Sequence, residues 1–373
     1  MQRIAVDAMG ADGAPRVEVE GVVAAVRKSE IRVVLVGDEA RVRPELEALG
    51  AAGDPRIELR HAPDVITMDD APSMAVRQKK KSSMRLCFDL AKAKEVDAVV
   101  SAGNSGAMMA CGLFVLGRLP GVERPAIVTS LPTRTGDCAL LDMGANVDPK
   151  PTTMAQWAVL GSVYARLLHD KPRPRVGLLS NGSEEHKGTA LTRETHHLLL
   201  AARGQGISAE AARPPGPETG AAFEYVGYVE GRDFFRGDVD VVVTDGFTGN
   251  VVLKSVEGAA EVIMTMVKEE VAKAGVLARL GAALMIKPLR RLKHKTDYAE
   301  YGGAPLLGVD GVALVCHGGS NARAIATAVR VAGRFARSGL GQESTTAVAQ
   351  HAFLWNGEAV RGGGLSAAEG GAS

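Results

Sequence analysis

The chain has 373 residues, 46 % hydrophobic and 23 % charged, which excludes a disordered, collagen-like or coiled-coil protein. Its 44 lysines and arginines against 43 aspartates and glutamates leave a net charge of +1, unlike a protein that coats nucleic acid. With 44 glycines and only 4 % aromatics, tight turns and close backbone approach to a ligand are favoured over base-stacking platforms.

Short β-branched runs alternate with longer helical patterns. Arg3–Val6 reads as a strand and Pro15–Lys28 as a helix with proline in its first turn. Ile31–Val36, Glu39–Leu49 and Arg56–Leu59 read as strand, helix and strand. Met84–Lys94 is a predicted helix leading into the strand Ala98–Ser101. Ala98–Gly117 carries no charge over 20 residues, enough to span a bilayer, but Gly103, Asn104, Ser105 and Gly106 break it into strand, turn and buried helix. Ala126–Leu131 and Cys138–Leu141 flank a hairpin-like turn at Thr133–Gly136. Thr153–His169, Thr189–Ala202 and Thr248–Lys273 read as helices; Arg175–Leu179, Val239–Thr244 and Val312–Cys316 read as strands.

This alternation predicts an α/β fold, a large and mostly parallel sheet with helices on both faces, made mixed by the hairpin. Residues 1–340 read as one large domain and 341–373 as a C-terminal extension with a disordered tail from about 357. The Gly- and Pro-rich stretch 204–222 reads as a mobile surface loop. Cys87, Cys111, Cys138 and Cys316 form no CxxC pair, which points to a reduced, cytoplasmic setting without a thiolate metal site. The opening MQRIAVDAMG brings acid and glycine too early for a signal peptide.

Ligands of open parallel sheets bind beyond the carboxyl ends of the strands. Six strand ends carry glycine with Asp, Asn, Ser or His, and their convergence on one sheet edge is expected to form a polar cleft. The candidate substrate-binding residues are Asp7 and Gly10 after the first strand, then Asn104, Ser105 and Gly106. Asp142 and Asn146, then Asp245, Gly246 and Gly249, and finally His317 and Ser320 complete the set. Asp142 and Asp245 suit a base, a cap or a turn equally well. Glycine-rich turns that open helices offer backbone N–H groups to an anion. GxGxxG after the first strand, GxxxxGK[ST], GxSxG and HExxH are all missing, and His196-His197 reads as a surface pair. A chain without a marked nucleophile can take it as a substrate. Inorganic phosphate would serve, with Lys187 as a cation and Asn250 or Ser105 as oxyanion donors.

The runs IAVDAMGADGAP, SAGNSGA, LLDMGANVDPKP, VVVTDGFTGNVVLK and YGGAPLLG together resemble the bacterial phosphate acyltransferases that begin membrane phospholipid synthesis. The resemblance covers roughly residues 1–340. It implies transfer of a fatty acyl group from acyl carrier protein to inorganic phosphate. The acyl phosphate formed would pass to a membrane glycerol-3-phosphate acyltransferase. It also implies a three-layer α/β/α sandwich of the isocitrate/isopropylmalate dehydrogenase type, a homodimer, and no metal or other cofactor. Carried over motif by motif, the functional lysine of E-x-K-G falls on Lys187 and the asparagine of TDGFTGN on Asn250. Where the family has GGD, this chain has Gly10-Ala11-Asp12, and alanine there would be strained if its φ were positive.

Arg77, Lys79 and Lys80 resemble a basic family segment suited to docking the acidic carrier protein. Residues 271–296 hold seven lysines or arginines and no acid around Leu277, Leu280, Leu284 and Ile286. Within a protruding segment, 257–297, they read as amphipathic helices on anionic lipid, a peripheral contact with the inner membrane face. The competing readings are a phosphate acetyl- or butyryltransferase using coenzyme A thioesters, a decarboxylating dehydrogenase of the same fold, and a membrane-attached scaffold.

Overall fold

The computed structural model describes residues 1–205, 223–275, 281, 285 and 302–356. In chain order the strands are β1 Gln2–Asp7, β2 Ile31–Gly37, β3 Ile57–His61, β4 Ala98–Ser101, β5 Ala126–Pro132 and β6 Asp137–Leu141. They continue with β7 Arg175–Leu179, β8 Glu224–Val229, β9 Val241–Val243, β10 Ala304–Leu307 and β11 Ala313–Val315. The helices are α1 Arg16–Lys28, α2 Glu39–Ala48, α3 Pro72–Gln78, α4 Ser83–Lys92, α5 Ser105–Cys111 and α6 Pro151–Leu168. Then follow α7 Ala190–Gln205, α8 Gly231–Arg236, α9 Gly246–Lys273, α10 Ala322–Arg337 and α11 Leu340–Gln350.

Among the described residues eleven strands form one sheet in the order β3-β2-β1-β4-β11-β10-β5-β6-β9-β7-β8. The central strands are buried on both faces: Ile4, Ala5 and Val6, like Val99 and Val100, are at most 1 % exposed. That is why they read as continuous apolar runs rather than as alternating ones. One face packs on α1, α6, α10 and α11, with Trp157 of α6 wholly buried and its Nε1–H donating to Arg124 O at 2.9 Å. The other face packs on α3, α4, α5, α8 and the first turns of α9. The expected three-layer α/β/α sandwich with a mixed sheet is what the chain adopts. Among the described residues no helix is long and apolar enough to cross a membrane, and Ala98–Gly117 divides, as expected, into strand β4, a turn and helix α5, which then continues into a π-helical turn at Gly112–Leu116.

The strand directions correct one expectation. β1, β2, β3, β4 and β11 are mutually parallel, whereas β10 is antiparallel to both β11 and β5, and β5 is antiparallel to β6. β6, β9, β7 and β8 are again parallel, now in the opposite sense. The six polar strand ends therefore do not gather at one edge. Those of β1, β4 and β11 lie at one edge and those of β6, β7 and β9 at the other.

The stretch 206–222, the residues from 357 onward, and Leu277, Leu280, Leu284 and Ile286 lie outside the described residues.

Candidate active site

A cavity of about 690 Å3 runs across the sheet face on which α9 lies. One end takes Asp12, Gly103, Ser105 and His317–Ser320 from the loops after β1, β4 and β11. The other takes Met143 and Gly144 after β6, and Asn250 of α9. β5 supplies Ile127 and Leu131, and α9 lays Asn250, Leu253, Lys254, Val256, Glu257 and Ala260 along it, a stripe at helical spacing. The two groups of strand ends thus meet across the sheet face, not at its rim.

Ser105, Asn250, His317 and Ser320 are the sequence-derived candidates that line this cavity. His317 Nδ1 accepts the Gly319 N–H at 3.0 Å, which shapes the loop before α10, and Asn321 caps that helix through Ala324 N at 3.0 Å. The other candidates are engaged elsewhere. Asp7 is 2 % exposed beneath the loops, accepting Ser101 Oγ–H at 2.7 Å and the Met9 N–H at 3.1 Å. Burial pushes its carboxyl above the usual range. Gly10 is needed for close approach, since a Cβ there would lie 2.6 Å from Gly103 N. Asn104 caps α5, accepting the Ala107 N–H at 3.1 Å, while its Nδ2 donates to Thr67 O, Met68 O and Asp70 O. A Cβ on Gly106 would meet Pro72 Cγ at 2.7 Å, so it serves packing against α3.

Asp142 is 0 % exposed and accepts N–H groups of Ile127 (2.9 Å), Ala145 (3.3 Å) and Asn146 (2.6 Å), besides Asn146 Nδ2 (3.0 Å). It is the hub of a loop, not a base in the cavity. Asn146 completes the hub by donating to Pro125 O at 2.8 Å. Asp245 is the N-cap of α9, accepting the Thr248 N–H at 2.9 Å. Gly246 and Gly249 let that first turn lie on the hub; a Cβ on Gly249 would sit 2.0 Å from Asp142 O.

Lys187 is half-buried after β7, on the sheet edge nearer Asn250, and does not line the cavity. Its loop is held by Asn181 Oδ1, which accepts the Gly188 N–H at 2.9 Å. Among the described residues the lysine that lines the cavity is Lys254, one turn beyond Asn250, paired with Glu257 at 2.8 Å. The signal for it was its i+4 spacing from Asn250 in the same motif.

Among the basic residues, Lys79 turns inward: its Nζ donates to Asp70 at 2.5 Å and to Val65 O at 2.9 Å. Arg77 lies over the Phe114 ring and Lys80 is exposed. His196 is not on the surface but 8 % exposed, its Nδ1 2.6 Å from Tyr225 Oη and its ring stacked on Tyr228; His197 is exposed. Ala11 does not take a positive φ, so alanine fits where the family has a second glycine. A Ser–His pair, Ser130 Oγ to His169 Nε2 at 2.7 Å, faces α6 on the other side of the sheet, where it also meets Tyr164 Oη at 2.9 Å. Among the described residues no three His, Cys, Asp or Glu side chains converge as a metal site.

Residues 2–343 match the family described as "Fatty acid synthesis protein". The phosphate acyltransferase of Geotalea daltonii is 52 % identical over 340 residues, covering 91 % of this chain and 92 % of that protein. That of Geobacter sulfurreducens is 51 % identical over 340 residues, with the same 91 % and 92 % coverage. Among solved structures, a phosphotransacetylase from Streptococcus pyogenes superposes with a TM-score of 0.54 at 18 % identity, covering 90 % of this chain and 94 % of its own. A branched-chain phosphotransacylase from Enterococcus faecalis gives 0.54 at 12 % identity, covering 91 % and 100 %. These two share the fold. Identity above one half, sustained over nine-tenths of the sequence, is the stronger finding: the chain belongs to the phosphate acyltransferase family and is an enzyme of the acyl-transferring class.

Proposed function

We propose that this enzyme transfers a long-chain acyl group from acyl carrier protein to inorganic phosphate, making acyl phosphate for membrane phospholipid synthesis. The observation that supports the reading best is the cavity itself. Apolar side chains (Ile127, Leu131, Met143, Leu253, Val256) adjoin Ser105, Asn250, Lys254, His317 and Ser320 in one space of about 690 Å3. A long acyl chain needs the first set and a phosphate attacking a thioester needs the second.

In this reading a phosphate oxygen attacks the thioester carbonyl, the C–O bond forms, and the C–S bond breaks. The proton carried by monohydrogen phosphate balances the one gained by the departing thiolate. No electrons are exchanged, so the step needs no redox cofactor. Asn250 at one end of the cavity, or Ser105 at the other, donates to the oxyanion, such a donor being worth ~10²–10³ in rate. Lys254 supplies a cation in the cavity one helical turn beyond Asn250, and Lys187, outside the lining, is the cation that the end of β7 offers. The exposed Arg77 and Lys80 dock the acidic carrier protein. The exposed apolar row Val262, Ile263, Met266 and Val267 on the distal half of α9 agrees with a peripheral membrane contact beyond it, beside the glycerol-3-phosphate acyltransferase that takes the product. We place the enzyme in the cytoplasm as a homodimer.

The test is purified protein with palmitoyl-acyl carrier protein, with and without phosphate, reading free carrier thiol. Phosphate-dependent release is expected. Silence with this donor but turnover of a coenzyme A thioester would replace the reading with an acetyl- or butyryltransferase. Lys187→Ala and Lys254→Ala, compared for the KM of phosphate, decide which ammonium holds the anion. Leu280→Glu with Leu284→Glu is expected to abolish flotation with anionic liposomes while soluble turnover persists.

A further inference from the structure

Glu18, in the first turn of α1, is 0 % exposed yet meets only part of its hydrogen-bonding capacity. Oε1 accepts the Ala11 N–H at 2.7 Å, while Oε2 is buried without a partner. Such a group is costly unless it performs a task. The bond it makes closes a loop that reaches the cavity. Next to Ala11, the Asp12 N–H donates to Gly318 O at 2.9 Å, and both Asp12 and Gly318 line the cavity. On the other side Gly10 packs on Gly103, another lining residue. One N–H therefore links Glu18 to three loops of the cavity wall.

We infer that Glu18 is a positioning residue for the acyl-transfer site: through Ala11 it locks the β1–α1 loop, and with it Asp12 and the loop after β11, in the arrangement that receives substrate. The kinetic part of this inference rests on the function proposed above.

The lock is sensitive to protonation. Burial pushes the Glu18 carboxyl up to about 7, and the neighbouring Asp7 carboxylate adds to the rise. Among the described residues the other titratable group facing it is the Cys316 thiol just after β11, itself pushed up to about 12 by burial. Arg41 of α2 reaches the far side of the loop at Ala14 O, 3.1 Å away. From β2, α2 and α10 the packed side chains, such as Leu35, Val42 and Ile325, are apolar. The protonated acid keeps Oε1 on Ala11 and leaves no charge in the core. Once ionised, the carboxylate faces the N–H groups of Ala11, Gly10 and Glu18 itself, but Oε2 makes no hydrogen bond and a second carboxyl stands beside it, so the buried charge favours opening of the loop.

Two measurements on the whole protein test this. Amide hydrogen exchange over residues 8–13, corrected for intrinsic base catalysis, is expected to quicken in the wild type as pH rises from 6 to 8. Glu18→Gln keeps the acceptor without the charge and is expected to hold its slow exchange throughout. In the assay with palmitoyl-acyl carrier protein and phosphate, the wild type is expected to lose kcat across the same range and Glu18→Gln to stay level. Glu18→Ala is expected to lower kcat by about tenfold or more. If the Gln variant shows the wild-type pH dependence in exchange and rate, another group such as His317 sets it and the inference fails. It fails equally if Glu18→Ala changes thermal stability but neither exchange nor kcat, or if it folds and behaves as the wild type. Should no donor turn over, the function proposed above falls, and the exchange data alone decide whether Glu18 holds the loop.

Discussion

The two halves of the sheet each place a buried carboxyl under the loops at their strand ends, and the two are satisfied very differently. Asp142 collects four donors from Ile127, Ala145 and Asn146, so every lone-pair direction has a partner. Glu18 accepts one hydrogen bond, from Ala11, with the N–H groups of Gly10 and of Glu18 itself beside the carboxyl, and its Oε2 makes no hydrogen bond. A saturated carboxyl fixes its loop firmly, since each donor favours the charged form and offsets part of its burial, which still holds the Asp142 carboxyl above its ordinary value. An unsaturated one holds its loop conditionally, because the few N–H groups around it do not offset the burial of its charge. The Asn250 end of the cavity is accordingly built on a fixed hub, and the Asp12 end on a conditional one.

The comparison breaks first at Asp142. Asp142→Ala strips the acceptor from buried N–H groups of Ile127 and Asn146, each costing ~1–3 kcal/mol when left unpaired, so a loss of about 3 kcal/mol or more is expected in urea unfolding. A loss below about 1 kcal/mol would mean that the hub is no hub. Because burial raises the folded Asp142 carboxyl above its ordinary value, the effect should change with pH between those two values and be level above them.

Next comes the pH dependence of stability at Glu18. The folded value of about 7 stands above the ordinary 4.5, so the folded state holds a proton that the unfolded state has released between these values. Wild-type stability therefore falls relative to Glu18→Gln as pH rises from 4.5 to about 7, and the gap is constant beyond. At full size the gap is about 3 kcal/mol. Parallel melting curves for the two proteins at pH 5 and pH 8 would show that Glu18 ionises freely and would remove the contrast with Asp142.

A third measurement separates loop support from chemistry. Asn250 is exposed to the cavity and bears no part of the hub, so Asn250→Ala is expected to lower kcat by about 10²-fold with the urea midpoint unchanged. A fall in both would place Asn250 in the structural set with Asp142.

These contrasts mark where the sequence could be read and where it could not. β4 and β7 fall on their expected bounds because parallel strands buried on both faces are short, continuous and bounded by polar turns. β10 went unseen: Ala304–Leu307 is four residues with an internal proline after Gly302-Gly303, which reads as a turn. Missing it cost the direction of the sheet, since β10 with β5 separates the two parallel halves, and hence the layout of the six strand ends. Asn104, Asp142 and Asp245 were recognisable as special, but the same side chains serve caps and hubs as well as ligands, and only the donors around them tell the roles apart. Glu18 was hidden because an acid in a first helical turn is ordinary complementation of the helix dipole. His196 was hidden because its partners, Tyr225 and Tyr228, lie about thirty residues away on β8.

The smallest expected effect concerns the basic segment, which the structure divides into an inward and an outward cation. Lys79 ties the end of α3 to Asp70 and Val65 O with both partners of its ion pair part-exposed, so Lys79→Ala is expected to cost only about 0.2–1 kcal/mol of stability. Because its ammonium is already committed, the same change should leave the salt dependence of the KM for acyl carrier protein as it was. Lys80→Glu should do the reverse. Stability stays level, while the KM for the carrier rises and its salt dependence changes, because an exposed charge acts through encounter with an acidic partner. If Lys79→Ala moves the salt dependence and Lys80→Glu does not, the Lys79–Asp70 pair opens on docking and the conditional half of the molecule extends from Glu18 to the rim of α3.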